Sequence, residues 1–216
     1  EKVIFLKRED KIIVMRDRLT ELYPDSECTL NYDTPFKLLV ATQLAAQCTD
    51  ARVNIVTKTL FKKYPTVESF AAADQKELEE DIKSTGFYHN KAKNIIACAK
   101  KLISDFGGEV PRTMEDLLSL PGTGRKTANL VLGDAFGIPG IVIDTHAKRL
   151  SGRIGLTKES TPEKIEKDLL TFVPTDYMTK LGHHLVDHGR AVCTARKPAC
   201  YRCALSDICD YYKNEN

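Results

Sequence analysis

Apolar residues recur at three- and four-residue intervals along almost the whole chain, and that period decides the fold class before anything else. Ile12, Met15, Leu19 and Leu22 mark one face of an amphipathic helix closed off by Pro24. Val53, Val56 and Leu60 repeat the pattern ahead of Pro65. Asp74 with Glu77 forms a capping-box signal before Leu78 and Ile82. Ile95, Ala99, Leu102 and Ile103 define a helix that starts near Asn90 and ends at Gly107-Gly108. Thr113 with Asp116 caps the run Leu117, Leu118, Leu120, and Ala128, Val131, Leu132 and Ala135 form the next face. Thr161-Pro162 opens a helix with proline in its first turn, and Ile165, Leu169 and Phe172 supply its buried stripe. Only Ile141-Val142-Ile143 reads as a strand, and it is too short to support a sheet. The chain is expected to be all-α, with roughly ten helices.

The 216 residues are enough to bury a core without staples. With 42% apolar and 29% charged residues, the composition excludes a disordered or collagen-like chain. No apolar run is long enough to span a membrane. The opening segment Glu1–Arg8 returns to charge after Val3-Ile4-Phe5-Leu6 and has no small-residue cleavage site, so no signal peptide is expected and a cytoplasmic location is. The formal charge of +2 neither demands nor excludes a polyanionic partner. There is no low-complexity linker and no internal repeat. Two pieces are expected: residues 28–138, a succession of helical hairpins, and the remainder from 139 onward. The period does not say on which of them the N-terminal helix packs.

Leu120-Pro121-Gly122-Thr123-Gly124-Arg125-Lys126-Thr127-Ala128 resembles two phosphate loops and is neither. No strand precedes it, Arg125 stands where a P-loop needs Lys, and Thr127 stands where a dinucleotide fingerprint needs Gly. What remains is helix, Pro-Gly-x-Gly turn, helix. Two glycines let the backbone tighten and bring N–H groups to the start of the next helix, where orphan donors and the dipole favour an anion. Arg125 and Lys126 make a nucleic-acid phosphate the natural anion, in a contact without sequence information. The alternative is a helix corner with solvated basic residues. Further on, in Val142-Ile143-Asp144-Thr145-His146, Asp144 is either the N-cap of the helix that follows or a carboxylate able to face a lysine across a cleft.

The chain has seven cysteines, and Cys193, Cys200, Cys203 and Cys209 fall in its last 24 residues. An odd total with a terminal cluster reads as metal ligation, not as a secreted disulfide framework. Structural zinc usually uses two Cys-x2–4-Cys knuckles, and C-x6-C-x2-C-x5-C contains one such pair. Its unequal loops better suit an iron–sulfur cubane with ligands on separate corners, although neither ferredoxin spacing matches. Arg196, Lys197 and Arg202 lie inside the loops, where they can offset thiolate charge and meet phosphate. Cys28, Cys48 and Cys98 are isolated and expected to be plain buried thiols.

The glycine turn with Lys126, the Val-Ile-Asp-Thr-His segment at Asp144 and the cysteine tail together resemble the endonuclease III family of helix-hairpin-helix DNA glycosylases and abasic-site lyases. Leu44-Ala45-Ala46-Gln47-Cys48-Thr49-Asp50, Gly86-Phe87-Tyr88-His89-Asn90-Lys91-Ala92 and Leu185-Val186-Asp187-His188-Gly189-Arg190 resemble it too, over about residues 12 to 212. The resemblance implies a six-helix barrel with a helix-hairpin-helix over 28–138. It implies a [4Fe-4S] domain from 1–27 and 139–216, with Cys193, Cys200, Cys203 and Cys209 as ligands, and DNA across the cleft between the two. Lys126 matches the nucleophile and Asp144 the catalytic carboxylate. Gln47 matches the residue that fills the gap left by an extruded nucleotide. Phe87 stands where the family often has Leu, as a wedge into the opposite strand, with Tyr88 and His89 beside it on the DNA face. Gly122, Gly124, Arg125, Thr127, Arg196 and Lys197 are the remaining expected DNA contacts.

The implied partner is double-stranded DNA carrying a damaged base, chiefly an oxidised or ring-saturated pyrimidine, or an abasic site. The protein is expected to act as a monomer, nucleoid-associated if it is bacterial. For Lys126 to attack as a neutral amine, burial or the nearby Arg125 has to disfavour its ammonium form. Three rivals compete. The adenine glycosylase branch has a catalytic Glu where this chain has Thr42, and it lacks a Lys at the place of Lys126. A non-catalytic helix-hairpin-helix module would have no use for both Lys126 and Asp144. A zinc hydrolase built on His184 and His188 would lack the Glu of its motif, so those histidines are read as part of a packed helix.

Overall fold

Thr and Asp side chains cap half of the α-helices at their starts. In the computed structural model, which describes residues 6–215, Thr34, Thr49, Thr66, Asp74, Thr113 and Asp144 each accept a backbone N–H from the first turn of the helix that follows. The helices are α1 (Arg8–Leu22), α2 (Pro35–Leu44), α3 (Asp50–Lys63), α4 (Val67–Ala71), α5 (Gln75–Ile82) and α6 (Tyr88–Phe106), followed by α7 (Met114–Leu118) and α8 (Arg125–Leu130). They continue with α9 (Thr145–Ile154), α10 (Pro162–Leu169), α11 (Met178–Ala191) and α12 (Asp210–Glu215). The described residues contain no strand, and Ile141-Val142-Ile143 joins no sheet. Among the described residues no helix is long and apolar enough to cross a membrane. Glu1–Phe5, most of the segment read against a signal peptide, lie outside the described residues.

Contacts divide the chain into two units, Thr29–Ile138 and Glu1–Cys28 with Pro139–Asn216. The first holds α2 to α8. Its longest helix, α6, begins at Tyr88, two residues earlier than its apolar period indicates, and ends in a glycine cap. Gly107 turns left-handed there and the Gly108 N–H returns to the Leu102 carbonyl at 2.8 Å. Past α8 the backbone widens into a π-helical turn over Val131–Ala135. The second unit has one core, in which Ile12, Met15 and Leu19 of α1 pack with Leu150, Ile165 and Leu185. Lys11 is buried beside them, and its Nζ donates to the Ile154 carbonyl at 2.7 Å and to Asp210 Oδ1 at 2.5 Å, tying α1 to both α9 and α12.

Several expected core positions are exposed. Leu22, Ile103 and Leu118 lie on the solvent side of their helices, because a helical period fixes a face without guaranteeing a neighbour at its edge. The Asp74–Glu77 box is half formed: Asp74 accepts the Glu77 N–H at 2.9 Å. The complete reciprocal box is Thr66 with Ser69. Cys98 is buried, which pushes its thiol up to about 11. Cys28 and Cys48 are only half-buried, against expectation.

Candidate functional site

The Pro121–Gly124 turn joins α7 to α8 and is locked from behind by α2. Gly122 has φ +74°, and a Cβ on it would meet Asn94 Cβ and Gln43 Oε1, each at 2.9 Å. Gln43 is buried and donates from Nε2 to the Pro121 carbonyl at 3.1 Å and to Thr123 Oγ1 at 3.3 Å. Sequence reasoning missed this residue, whose partners lie far ahead along the chain. Gly124 is the N-cap of α8, with open space where its Cβ would be. Arg125 and Lys126 are exposed and Thr127 is half-buried. Of the two expected ways to disfavour the Lys126 ammonium, burial is absent from the free chain, and Arg125 stands next to it. The first turn of a helix beside a tight turn projects its side chains outward, and any desolvation of this amine has to arrive with a bound molecule.

Gln47 and Phe87 are set apart by their backbone. With φ of 53° and 48°, they are the only non-glycine residues in the left-handed region among the described residues. That conformation costs a residue with a Cβ roughly 1–2 kcal/mol, and it persists where the surroundings over-determine it. Phe87 is 63% exposed, an unusual place for a large apolar ring. Both line one depression of ≈ 230 Å³ together with Gln43, Asn90, Lys91 and Gly122. Lys91 is buried there, and burial lowers its ammonium's pKa. It donates to the Leu44 and Thr85 carbonyls, each at 2.8 Å. Beyond Phe87, Tyr88 and His89 have ring centroids 4.2 Å apart, and His89 Nδ1 meets Glu79 Oε2 at 2.6 Å. Thr42, the place of the adenine-branch Glu, is buried and donates to the Leu38 carbonyl at 2.7 Å.

In the other unit, Asp144 caps α9, its Oδ1 accepting the Ala147 N–H at 2.8 Å. The capping alternative is thus realised, and it uses one carboxylate oxygen. Cys193, Cys200, Cys203 and Cys209 line a single apolar pocket with His188 and Leu205. No three of the described His, Cys, Asp and Glu side chains stand close enough to share one ion. A multi-iron cluster takes four thiolates at separate corners, and four cysteines around one pocket are a donor set of that kind.

Hydrogen-bond donors already face this sulfur. The Leu205 N–H and Arg153 Nη1 reach Cys203 and Cys193 Sγ, each at 3.4 Å, and His188 Nε2 lies 3.3 Å from Cys203 Sγ. Burial pushes the Cys203 and Cys209 thiols up, so thiolates there call for a cationic partner. Arginines from outside the loop reach it: Arg149, bonded to the Cys193 carbonyl, and Arg153, both from α9, and Arg18 of α1, bonded to the Ala204 carbonyl. Their sequence distance hid them. Arg196, Lys197 and Arg202 are exposed, and Arg202 donates to the Ala191 carbonyl at 2.8 Å. His184 and His188 are buried beside Tyr177 and Tyr23, and burial brings both imidazoles down to about 4.

The model for "HhH-GPD superfamily base excision DNA repair protein" matches residues 40–175, a stretch that holds the hairpin turn, Lys126 and Asp144. An endonuclease III of Synechocystis sp. is 54% identical over 192 residues, covering 88% of each chain. A solved non-covalent endonuclease III–DNA complex superposes with TM-score 0.90 at 41% identity, covering 98% of this chain and 99% of that one. A trapped endonuclease III–DNA covalent intermediate matches with the same score, identity and coverage. The fold and the family model define the class, that of the HhH-GPD base excision DNA repair proteins. At this identity and coverage the chain belongs to the endonuclease III family within it.

Proposed function

We propose that this protein is a bifunctional DNA glycosylase of base excision repair, which removes oxidised or ring-saturated pyrimidines and then nicks the strand 3′ to the abasic site. The observation that carries the reading is the presentation of Lys126: an exposed amine in the first turn of α8, beyond a turn that Gln43 holds rigid. A damaged base has to leave the stack before its glycosidic bond is accessible. Gln47 fills the gap it leaves and Phe87 wedges the opposite strand, with Tyr88 and His89 along the same DNA face. Gly122, Gly124, Arg125 and Thr127 hold phosphate at the hairpin, and Arg196 and Lys197 hold it at the cysteine loop.

Lys126, as the neutral amine, attacks the sugar C1′ and the base departs. Asp144, ionised, steadies the positive charge that develops on the sugar. The resulting Schiff base acidifies C2′. Loss of a C2′ proton then expels the 3′ phosphate, and hydrolysis frees Lys126. Exclusion of water by the duplex supplies the desolvation that the free chain does not give Lys126. Cys193, Cys200, Cys203 and Cys209 would hold a [4Fe-4S] cluster, which supplies a cross-link that fixes a basic loop. We assign Thr29–Ile138 as the six-helix barrel with its helix-hairpin-helix and the other unit as the cluster domain, in a cytoplasmic monomer acting on double-stranded DNA.

Borohydride trapping on duplexes that each carry one lesion tests the reading. Wild type should give a covalent adduct with thymine glycol and with an abasic site. Lys126→Gln should bind both duplexes and give neither adduct nor nick; a robust adduct in that variant would move the nucleophile elsewhere.

A further inference from the structure

A buried lysine without a carboxylate is an expensive way to fill a core. Lys91 lies in the first turn of α6, where side chains lean back toward the helix N-terminus. It is only 6% exposed, and both hydrogen bonds from its ammonium go to backbone carbonyls. A Met would fill much of the same volume without an ammonium to desolvate.

The two carbonyls are not arbitrary. Leu44 is the last residue of α2, and its carbonyl has dropped out of the helical ladder: the Cys48 N–H bonds Ala45 instead. Thr85 ends the 3-10 turn Lys83–Thr85, whose closing bond runs from the Gly86 N–H to the Lys83 carbonyl. Lys91 thus satisfies two orphan acceptors, each at the negative end of a helical segment, where a cation is favoured. Leu44 lies three residues before Gln47, and Thr85 two residues before Phe87. The two strained residues of the described chain are therefore the ones whose loops this ammonium ties together.

We propose that Lys91 is a positioning residue, a clamp that fixes the spacing of the Gln47 loop and the Phe87 turn so that both side chains enter the duplex as one pair. The inference rests on the wedge reading given above for those two residues. The Thr85 bond closes the turn that contains Phe87, and the Leu44 bond fixes the helix end from which the Gln47 loop departs, so movement of either anchor works against a charge-assisted bond of 2.8 Å. Extrusion of a paired or stacked base needs both insertions at once. A preformed abasic site has no base to extrude and depends on the pair less.

The experiment compares Lys91→Met with wild type on a thymine glycol duplex and on the same duplex carrying an abasic site. Base excision should fall more than about tenfold, and abasic-site cleavage at least about threefold less than that. In a Lys126→Gln background, 2-aminopurine opposite the lesion should lose its fluorescence rise when Lys91→Met is added. In a double-mutant cycle with Phe87→Ala, Lys91→Met should cost little beyond what Phe87→Ala already costs. Should Lys91→Met not fold, Lys91→Gln keeps a donor for one carbonyl and should show the same selectivity at smaller size. Equal loss on both substrates, or a fully additive cycle, overturns the clamp while leaving the enzyme reading intact. A wild-type protein that forms no borohydride adduct overturns that reading, and the clamp with it.

Discussion

Two glycines share the Pro121–Gly124 turn, and the structure separates their roles by energy. Alanine at Gly122 has to adopt φ +74°, which costs roughly 1–2 kcal/mol. Its Cβ would also press on Asn94 Cβ and Gln43 Oε1, both at 2.9 Å. The glutamine tip can swing, but Asn94 Cβ is fixed to the backbone of α6, and overpacking of this kind costs about 1–3 kcal/mol. Reduced freedom of the unfolded chain offsets about 0.4–1 kcal/mol, leaving a net loss of about 1–5 kcal/mol. Gly124 has φ −95° and ψ 176°, ordinary for alanine, and no atom lies within 4 Å of its would-be Cβ. The poorer N-cap and the stiffer unfolded chain nearly cancel, so Gly124→Ala should change stability by less than about 0.5 kcal/mol.

Urea unfolding at constant m should show that contrast. Fluorescence anisotropy with an abasic duplex should show the reverse ranking among folded molecules, because on the proposed reading a Cβ at Gly124 would occupy the space a phosphate needs to reach the backbone N–H groups. Gly124→Ala losing as much stability as Gly122→Ala, or binding DNA as wild type does, would refute the reasoning.

Asp144→Asn keeps an oxygen for the Ala147 N–H, so the melting temperature should hold, while base excision falls by about 10²–10³; an unchanged single-turnover rate would leave Asp144 as a helix cap only. Purified protein should be yellow-brown, with broad absorption near ~400 nm, and Cys203→Ala should lose both that band and much of the DNA affinity; stoichiometric zinc without iron, from iron-replete cells, would contradict the cluster. Around Asp168 burial disfavours ionisation, yet hydrogen bonds from Thr157 and Arg8 outweigh it and hold the carboxyl below its usual value. Its contribution is present above the ordinary carboxylate range near pH ~3.9 and is lost as pH falls through the depressed value. Asp168→Asn should flatten the acid limb of melting temperature against pH, and identical limbs would show that Asp168 does not set it.

The legible part of this protein is what repeats or what reacts. Helical period and Thr or Asp caps place most helices, because both are local. The turn at Gly122, the cap at Asp144 and the shared pocket of the four cysteines likewise follow from short spacings. Period fails at Leu22, Ile103 and Leu118 for the converse reason: exposure depends on which element lies opposite. Lys126 differs again: the sequence offers burial or Arg125 as what disfavours its ammonium, the amine is exposed, and the chemistry of a complex does not have to be visible in the free chain.

Gln43 and Leu44 belong to neither class, and they matter most for how the first unit works. They are adjacent at the end of α2, and no spacing marks them. One locks the hairpin turn through Pro121 and Thr123; the other anchors Lys91, and through it the turn before Phe87. A displacement of the last turn of α2 therefore reaches the Lys126 turn and the strained pair together. A packed helix end has few ways to move and cannot yield at one tie while the other stays fixed. On the proposed reading, the turn that holds phosphate and the side chains that insert are thus tied to one helix end, beside which Gln47 and Phe87 keep their left-handed backbones.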